Sequence, residues 1–182
     1  LVVDGLTGSA GSSTADAADA AGAPDLLGQL HEALLDRGHR RRRGVFYTPP
    51  AVAAGVVDLL TPPEPGEGPP TVCDPAVGAG AFLLAAARWL RSAGHRPRDI
   101  VATALWGVDV DPLAVAVART GLALWATIED PAGPDGVAEP GHRLVVGDSL
   151  LEGTAVWSPA GGPPPGGFDV VVGNPPFQSQ LG

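Results

Sequence analysis

The stretch TVCDPAVGAGAF, residues 71–82, runs from a short apolar segment through a glycine-rich turn into a helical pattern. Its first five residues are typical of a buried strand, and residues 80–94 carry the apolar spacing of a helix. Gly78 and Gly80 have no side chains, so a ligand can approach their backbone closely, beside a helix N-terminus that favours negative charge. The turn predicts a ligand site at the carboxyl end of a strand. The alternative is a tight turn followed by a solvated aspartate, Asp109.

The same alternation of strand and helix continues along the chain. Further strands are predicted at 101–111, 143–148 and 168–173, a helix at 112–126, and loops at 129–142 and 152–167. Short apolar strands alternating with helices predict a parallel sheet covered on both faces. Ligands of such sheets bind at the carboxyl ends of the strands, and the clusters DPAVGAG, DVD, GDS and NPPF all fall there. The sequence therefore predicts an α/β, doubly wound, Rossmann-like fold.

Two helices are predicted ahead of the first strand. Residues 24–40 place leucines at helical spacing, and residues 48–60 begin with Thr48 as the N-cap and prolines in the first turn. Residues 1–23 are rich in Ala, Gly, Ser and Asp and are predicted to be a flexible lead-in. The structured part is expected to span residues 24–182.

Composition narrows the function classes. The net charge of −9 over 182 residues argues against a domain that coats nucleic acid by itself. No apolar run approaches the roughly 18 residues that span a bilayer, so we expect no membrane association and a cytoplasmic location. A single cysteine, Cys73, excludes an internal disulfide, and the four histidines lack ligand spacing, so no metal site is expected.

Several conspicuous side chains are expected to be structural. Cys73 lies within the first strand, and Trp106 and Trp125 lie on apolar elements, which favours burial. Asp111 precedes Pro112 and is predicted to cap the helix that follows. Arg37 and the arginine run at 40–43 are typical of a solvated helix end, and the alternative is a phosphate contact beside the site.

The segment NPPF, residues 174–177, follows the last predicted strand. Proline has no amide hydrogen, and a residue before proline is held in an extended conformation, so Asn174 and Pro175 form a stiff segment. It presents an amide oxygen and a carbonyl oxygen beside the ring of Phe177. This set suits a flat heterocycle that carries an exocyclic amine. The alternative is an ordinary proline turn after an edge strand.

Five segments together resemble a known family. GVFYTPP (44–50), DPAVGAGAF (74–82), GVDVDP (107–112), GDSL (147–150) and GNPPF (173–177) are similar, in this order, to the γ-type N6-adenine DNA methyltransferases, which include type I modification subunits and related restriction or phage-defence enzymes. The resemblance covers about residues 44–177. One departure is that Val77 and Ala79 stand where the commoner loop has Cys and Ser.

The resemblance implies the fold of methyltransferases that use S-adenosylmethionine as cofactor. Among the four strands present, the implied sheet order is 3-2-1-4. It also implies that the sheet is incomplete, with further strands and a target-recognition domain expected beyond Gly182. We therefore expect little activity of this fragment alone.

The resemblance implies a role for each matched residue. Thr48, after Tyr47, would hold the methionine carboxylate of the cofactor, and Asp74 would face its ammonium group. Asn174 and the carbonyl of Pro175 would accept the target amine, with Pro176 in the same stiff segment and Phe177 stacked on the flipped base. The other implied cofactor contacts are the backbone of Ala76, Gly78 and Gly80, the ribose at Asp109, and the adenine ring at Val110, Asp148 and Leu150.

The implied reaction is methyl transfer from S-adenosylmethionine to N6 of adenine at a specific site in double-stranded DNA. Restriction or specificity subunits are the implied partners. Two alternatives stay open: methylation of RNA or of a protein glutamine, which uses similar NPP segments, and a degenerate module that binds the cofactor without catalysis. FYTPP ahead of the glycine turn favours DNA, and the intact Asp109, Asp148 and NPPF favour catalysis.

Overall fold

The computed structural model describes residues 14–34, 48–61, 68–131 and 142–175. The strands are β1 (Val72–Asp74), β2 (Leu105–Asp109), β3 (Leu144–Val146) and β4 (Val170–Val171). The helices are α1 (Thr14–Leu34), α2 (Pro50–Val57), α3 (Ala81–Ser92), α4 (Pro97–Asp99, continued by a π-helical turn at Ile100–Ala104), α5 (Pro112–Glu129) and α6 (Ser149–Glu152, continued by a 3-10 helix at Gly153–Ala160).

The four strands form one parallel sheet in the order β3-β2-β1-β4. Cys73 of β1 pairs with Trp106 of β2 on one side and with Val171 of β4 on the other. Because all strands are parallel, their carboxyl ends lie at the same edge of the sheet. The α/β class and the strand order 3-2-1-4 expected from the sequence are confirmed.

Helices cover one face of the sheet, and a smaller aromatic cluster covers the other. On the first face, α2, α3 and α5 bury one continuous apolar core against β1 and β2, and α1 packs on α5. On the second face, Trp106, Trp157 and Phe168 meet edge to face, with ring centroids 5.4–5.6 Å apart. Cys73 lies on this second face, where burial, aided by the charge of Asp74, raises the pKa of its thiol to about 12. The prediction that Cys73 is a core residue is confirmed.

Gly107 in β2 lets the turn after β1 pack directly on the sheet. A β-carbon at residue 107 would lie 2.9 Å from Cγ2 of Val77 and 3.1 Å from Cδ1 of Leu83. The amide of Val77 also donates to the carbonyl of Val108 at 2.9 Å. The glycine turn is thereby fixed in position over β2, beside the ends of the strands.

The N-terminal predictions need correction. Residues 14–23, predicted to be a flexible lead-in, belong to α1, because alanine, which fills much of this segment, is the strongest helix former. The helix predicted at 24–40 is described only to Leu34, and residues 35–40 lie outside the described residues. α1 crosses α5 closely, since a β-carbon at Gly121 would lie 3.6 Å from the carbonyl oxygen of Pro24.

Two internal predictions are also wrong in part. Residues 101–104, predicted as strand, form the π-helical turn, because Ile100, Val101 and Ala104 are buried in that conformation and Thr103 bonds back to the carbonyl of Asp99. Tertiary packing here overrides the strand preference of β-branched residues. Part of the loop predicted at 152–167 is the 3-10 helix, which buries two side chains in the aromatic cluster. The loop predicted at 129–142 is described only in part.

Other local predictions are confirmed. Asp111 caps α5, its Oδ1 accepting from the amide of Leu113 at 2.9 Å, and Trp125 is buried in the core. Asp169 ties the start of β4 to β1 through the amide and hydroxyl of Thr71.

Candidate active site

A cleft opens beside the carboxyl ends of β1 and β4. The turn after β1 forms its floor, and the segment after β4 stands at its side. The lining includes residues that are far apart in the sequence: Asp25, Thr48, Asp74, Ala76, Gly78 and Asn174. Four of the residues for which the sequence predicted cofactor contacts and one predicted catalytic residue are therefore brought together.

Asp74 is the most deeply buried acidic side chain of the described residues, only 1% exposed. Burial raises the pKa of its carboxyl to about 7, against the lowering effect of a 3.0 Å hydrogen bond that Oδ1 accepts from the amide of Ala76; the charge of Asp109 raises it further. A buried carboxyl of this kind has a high affinity for a cation, because a positive charge offsets the cost of ionising it.

The glycine turn has a backbone that other residues adopt poorly. Gly78 and Gly80 have φ angles of +50° and +91°, in the left-handed region. A β-carbon at Gly80 would also lie 3.0 Å from Cβ of Ala118 in α5. Gly78 is therefore required by its conformation, and Gly80 by its conformation and by close packing on Ala118.

Asp109 joins the turn after β1 to the turn after β2. Its Oδ2 accepts from the amide of Gly78 and its Oδ1 from the amide of Asp111, both at 2.9 Å. Each carboxylate oxygen keeps a second lone pair that could accept a hydroxyl. Val110, next in the chain, is 53% exposed, so an apolar surface is available beside this carboxylate.

Asp148 has a structural role that the sequence analysis did not assign. Its Oδ1 accepts from the amides of Leu150 and Leu151 at 3.0 Å each, which makes it the N-cap of α6. Glu152 returns the contact by accepting from the amide of Asp148 at 2.7 Å. Leu150 itself is 83% exposed. Asp109, Val110, Asp148 and Leu150 lie along the same edge of the sheet as the cleft but are not among its lining residues.

Asn174 is exposed at the mouth of the cleft, as is Pro175. The Nδ2 of Asn174 donates to Oγ1 of Thr48 at 3.4 Å. Thr48 was predicted to be the N-cap of its helix, but Pro49 occupies that position and makes no side-chain cap bond. Thr48 instead lines the cleft, where its hydroxyl accepts from Asn174. Tyr47, Pro176 and Phe177 lie outside the described residues.

Three residues that position the site were missed by the sequence analysis. Asp25 and Gly28 of α1 line the cleft, and Asp25 forms a two-pronged ion pair with Arg88 of α3, at 2.6 and 3.1 Å. Ser149 donates to the carbonyl of Pro75 at 2.8 Å and so connects the turn after β3 to the turn after β1. Both contacts join segments distant in sequence, and no local pattern signals them.

In the described part of the chain, no group of three or more His, Cys, Asp or Glu side chains is arranged to hold a metal ion. No helix among the described residues is both long enough and apolar enough to cross a membrane.

The fold and the cleft define the class of protein. A parallel sheet of order 3-2-1-4, with a glycine turn after β1 and a carboxylate at the end of β2, is the Rossmann-like fold of methyltransferases. The family model of the N-6 DNA methylases matches residues 22–181, and the chain belongs to this family.

Individual relatives agree with this assignment. The chain is 34% identical over 99 residues to the Type II methyltransferase M.VspI of Vibrio sp. (strain 343), a match that covers 54% of this chain and 21% of M.VspI. The ATP-dependent Type ISP restriction-modification enzyme LlaBIII, solved bound to DNA, shares the fold with a TM-score of 0.63 and 17% identity, over 87% of this chain and 12% of LlaBIII. The chain thus spans about a fifth of the length of M.VspI.

Proposed function

We propose that the full-length protein is a site-specific DNA methyltransferase that transfers a methyl group from S-adenosylmethionine to N6 of adenine. One observation carries the proposal: Asn174, at the end of β4, lines the same cleft as Asp74 and Gly78. An acceptor for an amine and a site for a cationic nucleoside are therefore adjacent. Membership of the N-6 DNA methylase family supports the same reaction.

The residues of the cleft fit the methionine end of the cofactor. Asp74 is buried and its pKa is raised to about 7, so an ammonium group beside it would relieve an unfavourable environment. Thr48 lines the same cleft, and its hydroxyl would donate to the carboxylate group. Ala76, Gly78 and Gly80 would contact the cofactor through carbonyl groups or by close van der Waals approach, because their amides already donate within the protein.

The nucleoside end would lie along the neighbouring strand ends. Asp109 would accept the ribose hydroxyls with the lone pairs that its two backbone hydrogen bonds leave free. The exposed side chains of Val110 and Leu150 would contact the adenine ring, and Asp148 would accept from its amino group through Oδ2. S-adenosylmethionine, when bound, would supply an electrophilic methyl group on a sulfonium sulfur.

The chemistry requires an activated amine. The lone pair of adenine N6 is delocalised into the ring, which makes the amine a poor nucleophile. Asn174 Oδ1 and the carbonyl of Pro175 would accept its two hydrogens and favour a pyramidal nitrogen, while Phe177, beyond Pro176, would stack on the base. One N–C bond forms, one S–C bond breaks, and one N6 proton leaves to solvent. Positioning and electrostatics supply the rate, and no covalent enzyme intermediate is needed.

The substrate would be double-stranded DNA with the target adenine flipped out, since the amine is inaccessible inside the duplex. The net charge of −9 means that most phosphate contacts must come from regions of the full-length protein other than this chain. Restriction or specificity subunits are the proposed partners, and the cytoplasm the proposed location.

The test uses the full-length protein with methyl-tritiated S-adenosylmethionine and duplex DNA from a host that lacks the gene. We expect label in N6-methyladenine after digestion to nucleosides. Asn174→Ala should abolish labelling and preserve cofactor binding, whereas Thr120→Ala, exposed on α5, should behave as wild type. Label in RNA or in protein glutamine would identify the other substrate class. Cofactor binding in calorimetry with no labelled product in any of these substrates would identify a degenerate module.

A further inference from the structure

The contact between Asn174 and Thr48 joins the two motifs of the cleft across 126 residues of sequence. The donor is Nδ2 of Asn174 and the acceptor is Oγ1 of Thr48, 3.4 Å apart. This distance is at the long end for a hydrogen bond, and such contacts commonly shorten when substrate binds. Among the residues that the structure describes, Asn174 makes no other side-chain hydrogen bond.

The orientation of an asparagine amide decides what it can bind. One end of the amide is an acceptor and the other end carries two donors. The target amine donates its hydrogens, so only Oδ1 of Asn174 can accept from it. If the amide were turned by 180°, its NH2 group would face the target amine, and both groups would be donors. The group that holds Nδ2 away from the substrate therefore fixes the useful orientation. In the described structure that group is the hydroxyl of Thr48.

The hydroxyl of Thr48 has one further hydrogen-bonding capacity. A hydroxyl carries one hydrogen to donate and two lone pairs. Because its oxygen accepts from Asn174, its hydrogen is left to donate, and Thr48 is a lining residue of the cleft. A donor that binds an anion becomes a better acceptor at its oxygen, since linked hydrogen bonds polarise one another.

The backbone and side chain of Thr48 are both restrained. Pro49 follows it, which confines Thr48 to an extended conformation, and Pro49 itself has φ −56° and ψ 140°. The β-branch of threonine limits rotation of its hydroxyl about χ1. The hydroxyl is therefore a fixed point relative to which the exposed amide of Asn174 can be oriented.

We propose that Thr48 is a positioning residue that couples the methionine carboxylate of the cofactor to the orientation of the Asn174 amide. The inference rests on the proposed function, and it adds that the two halves of the cleft communicate through one hydroxyl. When the carboxylate binds, it accepts a hydrogen bond from the hydroxyl of Thr48. This strengthens the hydrogen bond from Nδ2 of Asn174 to Oγ1 of Thr48 and orients Oδ1 of Asn174 toward the target amine. Cofactor and flipped base should consequently bind cooperatively.

The experiment compares Thr48→Val, which replaces the hydroxyl by a methyl group of the same shape, with Thr48→Ser, which keeps it, in the full-length protein. Thr120→Val is the control, because the hydroxyl of Thr120 bonds only to its own helix at Ala116. With cofactor and DNA both saturating, we expect kcat to fall about five- to tenfold in the valine variant and to recover in the serine variant. Thr48→Ala guards against a packing effect of valine.

The second readout needs no turnover. DNA that keeps adenine at the target and carries 2-aminopurine at the neighbouring position reports binding and flipping by fluorescence, with S-adenosylhomocysteine or 5′-methylthioadenosine as the bound nucleoside. The first compound has the carboxylate and the ammonium group, and the second has neither. In wild type the first should tighten DNA binding about fivefold or more relative to the second, and this difference should fall several-fold in Thr48→Val.

Two results would overturn the inference, and they are distinguishable. If Thr48→Val raises only the KM for S-adenosylmethionine and leaves both kcat and the DNA coupling at wild-type values, Thr48 binds cofactor without positioning Asn174. The proposed function would then stand. If wild type makes no N6-methyladenine, the proposed function fails, and the inference fails with it.

Discussion

Gly173 lies against the buried carboxyl of Asp74. A β-carbon at residue 173 would be 2.6 Å from Oδ1 of Asp74 and 3.4 Å from Cδ of Pro75. The segment that presents Asn174 is therefore seated directly on the carboxylate that faces the cleft. The two parts of the site must move together, and even a methyl group between them would displace one of them.

We expect Gly173→Ala to impair both parts of the site. The added methyl group cannot fit without a shift of the Asp74 carboxyl or of the chain before Asn174, at a cost of roughly 1–3 kcal/mol in the free energy of unfolding. Cofactor affinity should fall, and kcat should fall at least tenfold, because misplacement by about 1 Å is enough for such a loss. Calorimetry, urea unfolding and methylation assays measure these effects.

The matched control for this substitution is Gly55→Ala. Gly55 is exposed in α2, and nothing lies within 4 Å of a β-carbon there. Alanine should leave methylation unchanged and stabilise the helix by about 0.5–1 kcal/mol. If Gly173→Ala had wild-type kcat and cofactor affinity, the position of the chain before Asn174 would not depend on its packing against Asp74.

Asp74 should make stability fall as the pH rises toward neutrality. Burial raises the pKa of this carboxyl from 3.8 to about 7, so the folded chain retains a proton that the unfolded chain releases. Between these two values the free energy of unfolding loses at most about 1.4 kcal/mol per pH unit from this group. Below pH 3.8 the carboxyl is neutral in both states and its contribution no longer changes.

Urea unfolding of Asp74→Asn and wild type across this pH range tests the prediction. The asparagine variant should gain stability relative to wild type as the pH rises, because it has no proton to lose. Asp169→Asn is the control of opposite sign, since hydrogen bonds from the amide and hydroxyl of Thr71 lower the pKa of Asp169. Asp169 therefore loses its contribution as the pH falls through its folded pKa. Parallel pH profiles for Asp74→Asn and wild type would contradict the prediction.

The ion pair between Arg88 and Asp25 should hold α1 as a wall of the cleft. The pair is two-pronged, and the side chain of Asp25 is only 18% exposed. Arg88→Gln should cost about 1 kcal/mol in the free energy of unfolding and weaken cofactor binding several-fold. Urea unfolding and calorimetry at low and high salt measure both effects, which salt should reduce in wild type.

Arg91→Gln is the matched control on the same helix. Arg91 pairs with Glu129 of α5 at 3.6 Å, and neither residue lines the cleft. Its loss should leave cofactor affinity unchanged. If Arg88→Gln lowers stability but binds the cofactor as tightly as wild type, the position of α1 does not matter to the site.

The sequence predicted the strands and the site edge well because those signals are local and strong. β1 and β2 are short and apolar, α5 has the apolar spacing of a helix, and proline or aspartate stands at their ends, so their type follows from their own residues. The strand order came from the family resemblance. The predictions failed where local preference and packing disagree, as in the π-helical turn at Ile100–Ala104 and the alanine-rich start of α1.

The missed parts of the site depend on long-range contacts. Ser149 and Pro75 are 74 residues apart, and Arg88 and Asp25 are 63 apart, so no pattern within either segment indicates the pairing. Asp148 was assigned one role from the motif GDSL, although the same carboxylate also caps a helix. The cap depends on where the amides of α6 lie, and the motif alone does not give their positions.

The helix cap and the proposed ligand contact of Asp148 together give a last prediction, for Asp148→Asn. Oδ1 of Asp148 accepts both cap bonds from Leu150 and Leu151, and only Oδ2 is left for a ligand. Asparagine caps helices as well as aspartate does, so its single oxygen would stay on the cap and stability should change by less than about 0.5 kcal/mol. Its amide hydrogens would then oppose the amino group of the cofactor adenine. Affinity for S-adenosylhomocysteine should fall about tenfold in calorimetry.

Asp148→Ala is the reference variant for Asp148→Asn, because it removes both the cap and the proposed ligand contact. Without any acceptor it loses the cap, about 1 kcal/mol in urea unfolding, and the ligand contact as well. An asparagine that turned its oxygen toward the adenine would lose the cap instead, so Asp148→Asn must show one deficit or the other. A variant with wild-type stability and wild-type affinity for S-adenosylhomocysteine would show that Asp148 serves only the helix, because its second oxygen would then contact nothing in the bound complex.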